Sequence, residues 1–427
     1  MHRVRLVLPY LKEQGIRAEV LAVEAEQVAV PMDEWLAAGL PADLPVHRVK
    51  ALGLFWSRIP GLGSISFRAM RALRRQGDAL LKSGHVDLVY FSTTQFGVHV
   101  LGPRWKAKFG VPFVMDYQDP WVNDYYRQHP EQKPPGGRFK YAVMDWIHRR
   151  MEPAVLKKCA GITAVSMAYP EALARRYDWA QELPFLVQPF PGDARDIERA
   201  KQENIQQFIF TLDDGNIHWV YAGVIIPGMQ VSLRPFFRAL KDFAPISLLD
   251  KLRIHFVGTQ YGVQQKANSI VCSIAKEYGL ANLVDEHARR IPYSQVLACL
   301  RDANALLAFG SDDVGYTASK IYPYLLARKP LLAVFHESCS VVSLIHQTGG
   351  ATCISFDLET SEDLVAKQIG DSWIQNNSYK QIQVLNSDAF APYTARCSAE
   401  KMIAFFRRIV QKTPSLLILS ILLNICD

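Results

Sequence analysis

Between residues 310 and 330 the chain reads GSDDVGYTASKIYPYLLARKP, and two apolar runs with the pattern of buried parallel strands flank it. Its Gly, Ser and Thr residues lead into a helical run just past a strand end. Free backbone N–H groups and the positive end of a helix dipole are then presented together, which suits a diphosphate. Lys320, in the first helical turn, adds a point charge against such a group. A lysine in a helix turn is more often surface decoration; the Gly/Ser/Thr approach sets this one apart.

A second set of candidates carries carboxylates and aromatic rings. In VMDYQDPW, 114–121, an apolar strand precedes Asp116 and Asp119, so both fall at its ligand-facing end. A carboxylate there can bind a hydroxyl or act as its base, although Asp119 before Pro120 also reads as a turn cap. Trp121 and Tyr125 either stack on a sugar ring or pack into the core. His99, His336 and Glu337 are weaker candidates, and Glu337, just after the strand Leu331–Phe335, is the best of the three. Asp213–Asp214 and Asp312–Asp313 are adjacent pairs, without the D-x-D spacing of a metal site.

These residues need elements to hold them. The first half alternates short apolar runs (18–23, 46–51, 88–92, 113–116, 162–165, 185–188) with helical patterns at 64–83, 96–109, 137–158 and 168–177. A polar stretch at 191–217 intervenes. A second series then gives strands at 218–223, 253–258, 283–286, 305–309, 331–335 and 352–356, interleaved with helices at 231–243, 263–278, 293–302, 317–328 and 340–347. Such alternation predicts an α/β fold of two doubly wound, Rossmann-like domains facing across a cleft, with ligands beyond the carboxyl ends of the strands. The expected boundaries are 1–200, 206–390 and a terminal helix, 391–412, returning to brace the first domain.

The chain has 427 residues, 49% hydrophobic and 21% charged, which excludes a disordered or fibrous protein and leaves room for two cores. A net charge of +7 is small for this length. Arg71, Arg74 and Arg75, and Arg149, Arg150, Lys157 and Lys158, form two basic clusters that read as solvated helix faces or as a weak peripheral membrane contact. Nothing in the pattern points to nucleic acid. Seven scattered cysteines without metal spacing read as reduced thiols, which predicts a cytoplasmic protein with, at most, peripheral contact at the inner membrane surface. The apolar tail 416–425 is about half the length needed to span a bilayer.

TASKIYPYLLARKPLLAV, at 317–334, resembles the donor-binding helix of GT-B glycosyltransferases in the large retaining group numbered family four, where S/T-K-x-x-E-Y-L-x-x-G-K-P recurs. RVRLVLPYLKEQGIRAEVLAVE near the start, VMDYQDPW, CAGITAVS at 159–166, VYAG at 220–223, HFVGT at 255–259 and RRIPYSQVLACLRDANALLAFG at 289–310 match that group in order, up to about residue 410. The resemblance implies transfer of a hexose-like sugar from a nucleotide diphosphate donor to a glycan or lipid-linked acceptor, with retention and without an essential metal or cofactor. It implies close backbone approach at Gly223 and Gly258, the base beside the main chain of Ile291, and the diphosphate on Thr317, Ser319 and Lys320. Asp119 and Glu337 are the expected catalytic carboxylates.

The chain departs from that pattern in two places. Pro323 stands where the group has a Glu, and the loop VIIPGMQVS, 224–232, lacks its usual Arg or Lys, leaving Arg234 as the nearest base to reach the phosphates. The alternatives are therefore a non-catalytic sugar-nucleotide binder and a sugar-nucleotide epimerase of the same shape. The group also places an apolar strand and a glycine-bearing loop ahead of a helix like 2–13. On that ground about 15–30 residues are expected to be missing from the front, leaving a gap at the centre of the first sheet. Unpaired groups beside the gap would cost about 1–3 kcal/mol each, predicting marginal stability and weak or no activity.

Overall fold

The computed structural model describes residues 2–27, 33–53, 55–56, 63–128, 134, 137–260, 269–313, 318–411 and 417–423. The chain forms two compact units, Met1–Pro191 with Ala395–Asp427, and Gly192–Thr394.

In the first unit, β1 (Ile16–Val23), β2 (Val46–Val49), β3 (Leu88–Ser92), β4 (Phe113–Tyr117), β5 (Gly161–Ala164) and β6 (Phe185–Val187) are the strands of the alternating half. All of β3, β4 and β5 is buried, as expected of strands covered on both faces. The second unit contains β7 (Ile217–Ala222), β8 (Leu252–Val257), β9 (Val284–His287), β10 (Ala305–Phe309), β11 (Leu331–His336) and β12 (Thr352–Phe356). Their order is β12-β11-β10-β7-β8-β9, all parallel, which is the doubly wound arrangement with β7 as its first strand. Leaving β7, the chain winds first to one side and later to the other, so the carboxyl end of β7 lies at the switch point.

The first sheet corrects the expectation of a central gap. Its order is β2-β1-β13-β3-β4-β5-β6, where β13 is Leu417–Leu423 from the carboxyl-terminal tail. This strand runs parallel to both neighbours, pairing Ile16–Ala22 of β1 with Leu417–Leu423 and Leu88–Ser92 of β3 with Leu419–Leu423. The tail occupies the place a first strand takes in the second unit. Asp87 fixes its entry: its carboxylate accepts the Ile418 N–H (3.1 Å), and its own N–H donates to the Ile418 carbonyl (2.9 Å). An apolar run too short for a membrane is thus long enough for a central strand.

The helix His2–Glu13 packs against Ala395–Val410, and both cover one face of this sheet. Val4, Val7 and Leu11 meet Met402, Phe406 and Leu419 there, and Arg396 pairs with Glu13 at 2.8 Å. Helices Ile65–Lys82, Leu101–Phe109 and Arg138–Leu156 contribute to the opposite core.

Candidate functional site

The second unit holds its candidate site at the end of β7. Gly223 follows the strand with φ +147°, a conformation side chains rarely adopt, and a Cβ there would stand 3.0 Å from the Lys320 Nζ. The glycine therefore makes room for the lysine. Lys320 sits at the start of the short helix Ile321–Leu326, and its amine lies 3.9 Å from the centre of the Tyr221 ring and hydrogen bonds the Tyr221 hydroxyl. Tyr221 is fully buried and donates to the Val224 carbonyl at 2.9 Å. Among the described residues no carboxylate pairs with Lys320. Removal of the amine from water, with no compensating anion, lowers its pKa from 10.5 to about 7.

Tyr324, on the next turn, fixes this helix to the strand. Its hydroxyl accepts the Ala222 N–H at 2.6 Å and donates to the Ala222 carbonyl at 3.0 Å. β10 pairs with β7 only at Trp219 and Val220, so one phenol takes the place of a neighbouring strand at Ala222. The loop that follows β7 is also tied down. Ser232 Oγ donates to the Gly310 carbonyl (2.7 Å), the Asp312 N–H donates to the Gly228 carbonyl (3.1 Å), and a Cβ on Gly228 would collide with Asp312 Oδ1 at 2.1 Å.

The other expected donor contacts are distributed as follows. Gly258 ends β8 with φ +72°, and a Cβ there would meet nothing closer than 3.7 Å, so this glycine is required by its backbone angle. Ile291 is half-buried in the loop before the helix Tyr293–Asp302, packed against the core cluster that includes Tyr322 and Tyr324. Ser319 is exposed beside Lys320, and Thr317 lies outside the described residues. Arg234, on the helix Gln230–Phe243, pairs with Glu277 of a neighbouring helix at 2.7 Å. Glu337 is exposed in the turn after β11, two strands from β7, and its N–H donates to the Phe356 carbonyl at 2.8 Å.

In the first unit the two carboxylates of DYQDPW separate. Asp116 ends up buried at the end of β4, with Arg3 Nε at 3.0 Å and hydrogen bonds from Ser92 (2.9 Å), Thr163 (2.8 Å) and Gln118 (2.7 Å). Asp119 is exposed in the following loop. Trp121 stacks on Phe96 at 5.5 Å inside the core, which settles its packing role, and the side chain of Tyr125 lies outside the described residues. His99 is fully buried, its Nδ1 3.0 Å from the Phe96 carbonyl, and desolvation lowers its pKa to about 4, so it stays neutral at pH 7. His336 is buried against Phe356. The Tyr221 and Tyr324 contacts and the Arg3–Asp116 pair were missed by the sequence reading. Their only signal was a tyrosine in VYAG, another after Pro323 and a basic residue in the first helix.

No protein-family model matches this sequence, and no curated protein sequence does either. Solved structures do match. Alr3699/HepE of Anabaena, in complex with UDP and glucose, superposes with a TM-score of 0.56 at 13% identity, covering 91% of this chain and 99% of that one. A UDP-forming α,α-trehalose-phosphate synthase from Burkholderia vietnamiensis gives 0.57 at 10% identity, over 92% and 100%. A glycosyltransferase from Rickettsia africae gives 0.52 at 11% identity, over 93% and 100%. The likeness is one of fold: this chain has the GT-B architecture found in nucleotide-sugar glycosyltransferases. Among the described residues no helix is long and apolar enough to cross a membrane, and no group of three or more His, Cys, Asp or Glu side chains could hold a metal ion.

Proposed function

We propose that this protein is a glycosyltransferase of the retaining family-four type, taking its sugar from a nucleotide diphosphate donor bound by the second unit. One observation carries the reading: a half-buried lysine amine with no counter-ion among the described residues stands over a glycine at the carboxyl end of the first strand of a doubly wound sheet. A bound diphosphate would supply the missing negative charge. Lys320 then holds the leaving group and offsets the charge that grows on it as the sugar bond lengthens. Gly223 and Gly258 allow close backbone approach, Ser319 and Thr317 add polar contacts, and the main chain at Ile291 borders the base. Asp119 is the proposed acceptor-side carboxylate and Glu337 the donor-side one; the acceptor is a glycan or a lipid-linked sugar.

Pro323, in place of an acidic residue, supports a second reading as a binder of sugar nucleotides without turnover. Calorimetry with nucleoside diphosphates, followed by turnover of a donor panel with and without acceptors, tests both. Binding with acceptor-dependent release of nucleoside diphosphate supports transfer. Binding alone supports the second reading, and interconversion of the donor sugar without acceptor would indicate an epimerase. Lys320→Ala should weaken nucleoside diphosphate binding by about 1.5–3 kcal/mol, and an unchanged dissociation constant would remove the basis of the assignment.

A further inference from the structure

The helix Arg138–Leu156 divides its charges unequally between its two faces. Its acidic side chains point inward: Asp145 accepts from Arg127 (2.7 Å) and Arg149 (2.9 Å), and Glu152 accepts from Arg176 and Tyr177, each at 3.0 Å. Arg149, part of the basic cluster seen in the sequence, is thereby used up internally. The outward face is different. Phe139, Val143 and Trp146 are 84%, 43% and 56% exposed, at the i, i+4, i+7 spacing that aligns side chains in one stripe. Arg150 continues the stripe, its guanidinium 4.3 Å from the centre of the Trp146 ring, and Arg138 and Lys140 stand exposed at its start.

We propose that this stripe docks the protein on an anionic membrane surface, with Phe139, Val143 and Trp146 entering the headgroup region and Arg138, Lys140 and Arg150 meeting lipid phosphates. Single exposed apolar residues are ordinary, but two aromatic rings and a valine in one line, with Lys140 and Arg150 exposed beside them, form the amphipathic face of an interfacial helix. Tryptophan prefers the depth at which its ring is in the apolar zone and its N–H is wet, and arginine stacked on it reaches outward to phosphate. A second copy of this chain is disfavoured by the same charges. A self-complementary contact would set Arg138, Lys140 and Arg150 against their own equivalents, with no carboxylate from this helix to offset them. Donor binding plays no part in this inference.

The test uses the full chain and vesicles of phosphatidylcholine alone or of equal parts phosphatidylcholine and phosphatidylglycerol. Co-sedimentation should favour the phosphatidylglycerol vesicles and weaken with added salt. The Phe139→Ser/Trp146→Ser variant should bind them about tenfold less or worse, since both interfacial anchors are gone, and should keep the wild-type melting curve because both side chains are exposed. Lys140→Glu/Arg150→Glu should abolish the preference for phosphatidylglycerol. Failure of the wild type to bind these vesicles, or binding by the Ser variant equal to wild type, overturns the proposal. So does a wild-type dimer in light scattering that the Ser variant reduces to a monomer, because the stripe would then be an interface between copies.

Discussion

Removal of residues 412–427 tests the central role of β13 most directly. The strand faces seven residues of β1 and five of β3. In a parallel pair alternate residues turn both N–H and C=O toward a given neighbour, so about ten backbone groups on β1 and β3 would lose their partners. At about 1–3 kcal/mol for each buried orphan, the nominal loss is about 10 kcal/mol or more, before counting the fully buried Leu419. Water entry and closure of the gap would recover part of this, but the total stability of a domain is only about 5–15 kcal/mol. The first unit should therefore unfold or open around β1 while the second remains folded. Hydrogen exchange followed by mass spectrometry reads this locally: amides of Ile16–Val23 and Leu88–Ser92 should lose protection, and those of Ile217–Ala222 should keep it. Leu419→Pro, which deletes a ladder donor inside a central strand, should act in the same direction. If the shortened chain retains wild-type protection in β1 and β3, the tail does not hold that position in solution and the reasoning fails.

Other outcomes follow from single contacts. Tyr324→Phe leaves the N–H and C=O of Ala222 without the phenol and should cost the second unit about 1–3 kcal/mol in denaturant unfolding, while also weakening nucleoside diphosphate binding through a looser Lys320. Asp116→Asn strips the buried Arg3 of its counter-charge and should destabilise the first unit by about 3–5 kcal/mol in the same measurement. His255, hydrogen-bonded to His218 at 2.9 Å and stacked on Phe210, has its pKa lowered by desolvation from 6.5 to about 4. The unfolded chain thus binds more protons than the folded one between those values, and stability should fall as pH drops from 6.5 toward 4, by on the order of 3 kcal/mol; His255→Phe should flatten that limb of the melting profile.

Most strand positions were legible because apolar runs such as Leu88–Ser92 and Ala305–Phe309 are uninterrupted and bounded by polar helices. Lys320, Gly223 and Gly258 could be singled out for a related reason: strand ends of a doubly wound sheet restrict where a ligand can lie, and few residue types suit those ends. The pairing of Arg234 with Glu277 was not legible, because sequence distance from β7 says nothing of helix rotation and Glu277 comes from another helix. The tail strand was missed for a deeper reason. A strand's neighbours are set by pairing across the whole chain, and nothing local to 417–423 says that it lies beside residues 16–22.

The two sheets also show that a first strand has two separable roles. β7 pairs with β8 and β10, and its end delivers Gly223 directly under Lys320. β13 supplies the pairing between β1 and β3, but the helix His2–Glu13 does not follow from it along the chain, so its place is fixed by packing against Ala395–Val410 and by the Arg3–Asp116 contact. Stability of the first unit should consequently depend on β13, whereas the orientation of that helix should depend on Arg3. Arg3→Met tests this separation. It replaces a buried charge by an apolar side chain and leaves Asp116 with its hydrogen bonds from Ser92, Thr163 and Gln118. Protection of the β1 and β3 amides should fall only as far as the lost counter-charge of Asp116 destabilises the unit, and that of the first helix should fall further. Equal loss in the helix and in both strands would show that pairing and helix placement are one cooperative unit, and the two roles could not then be divided between β13 and Arg3.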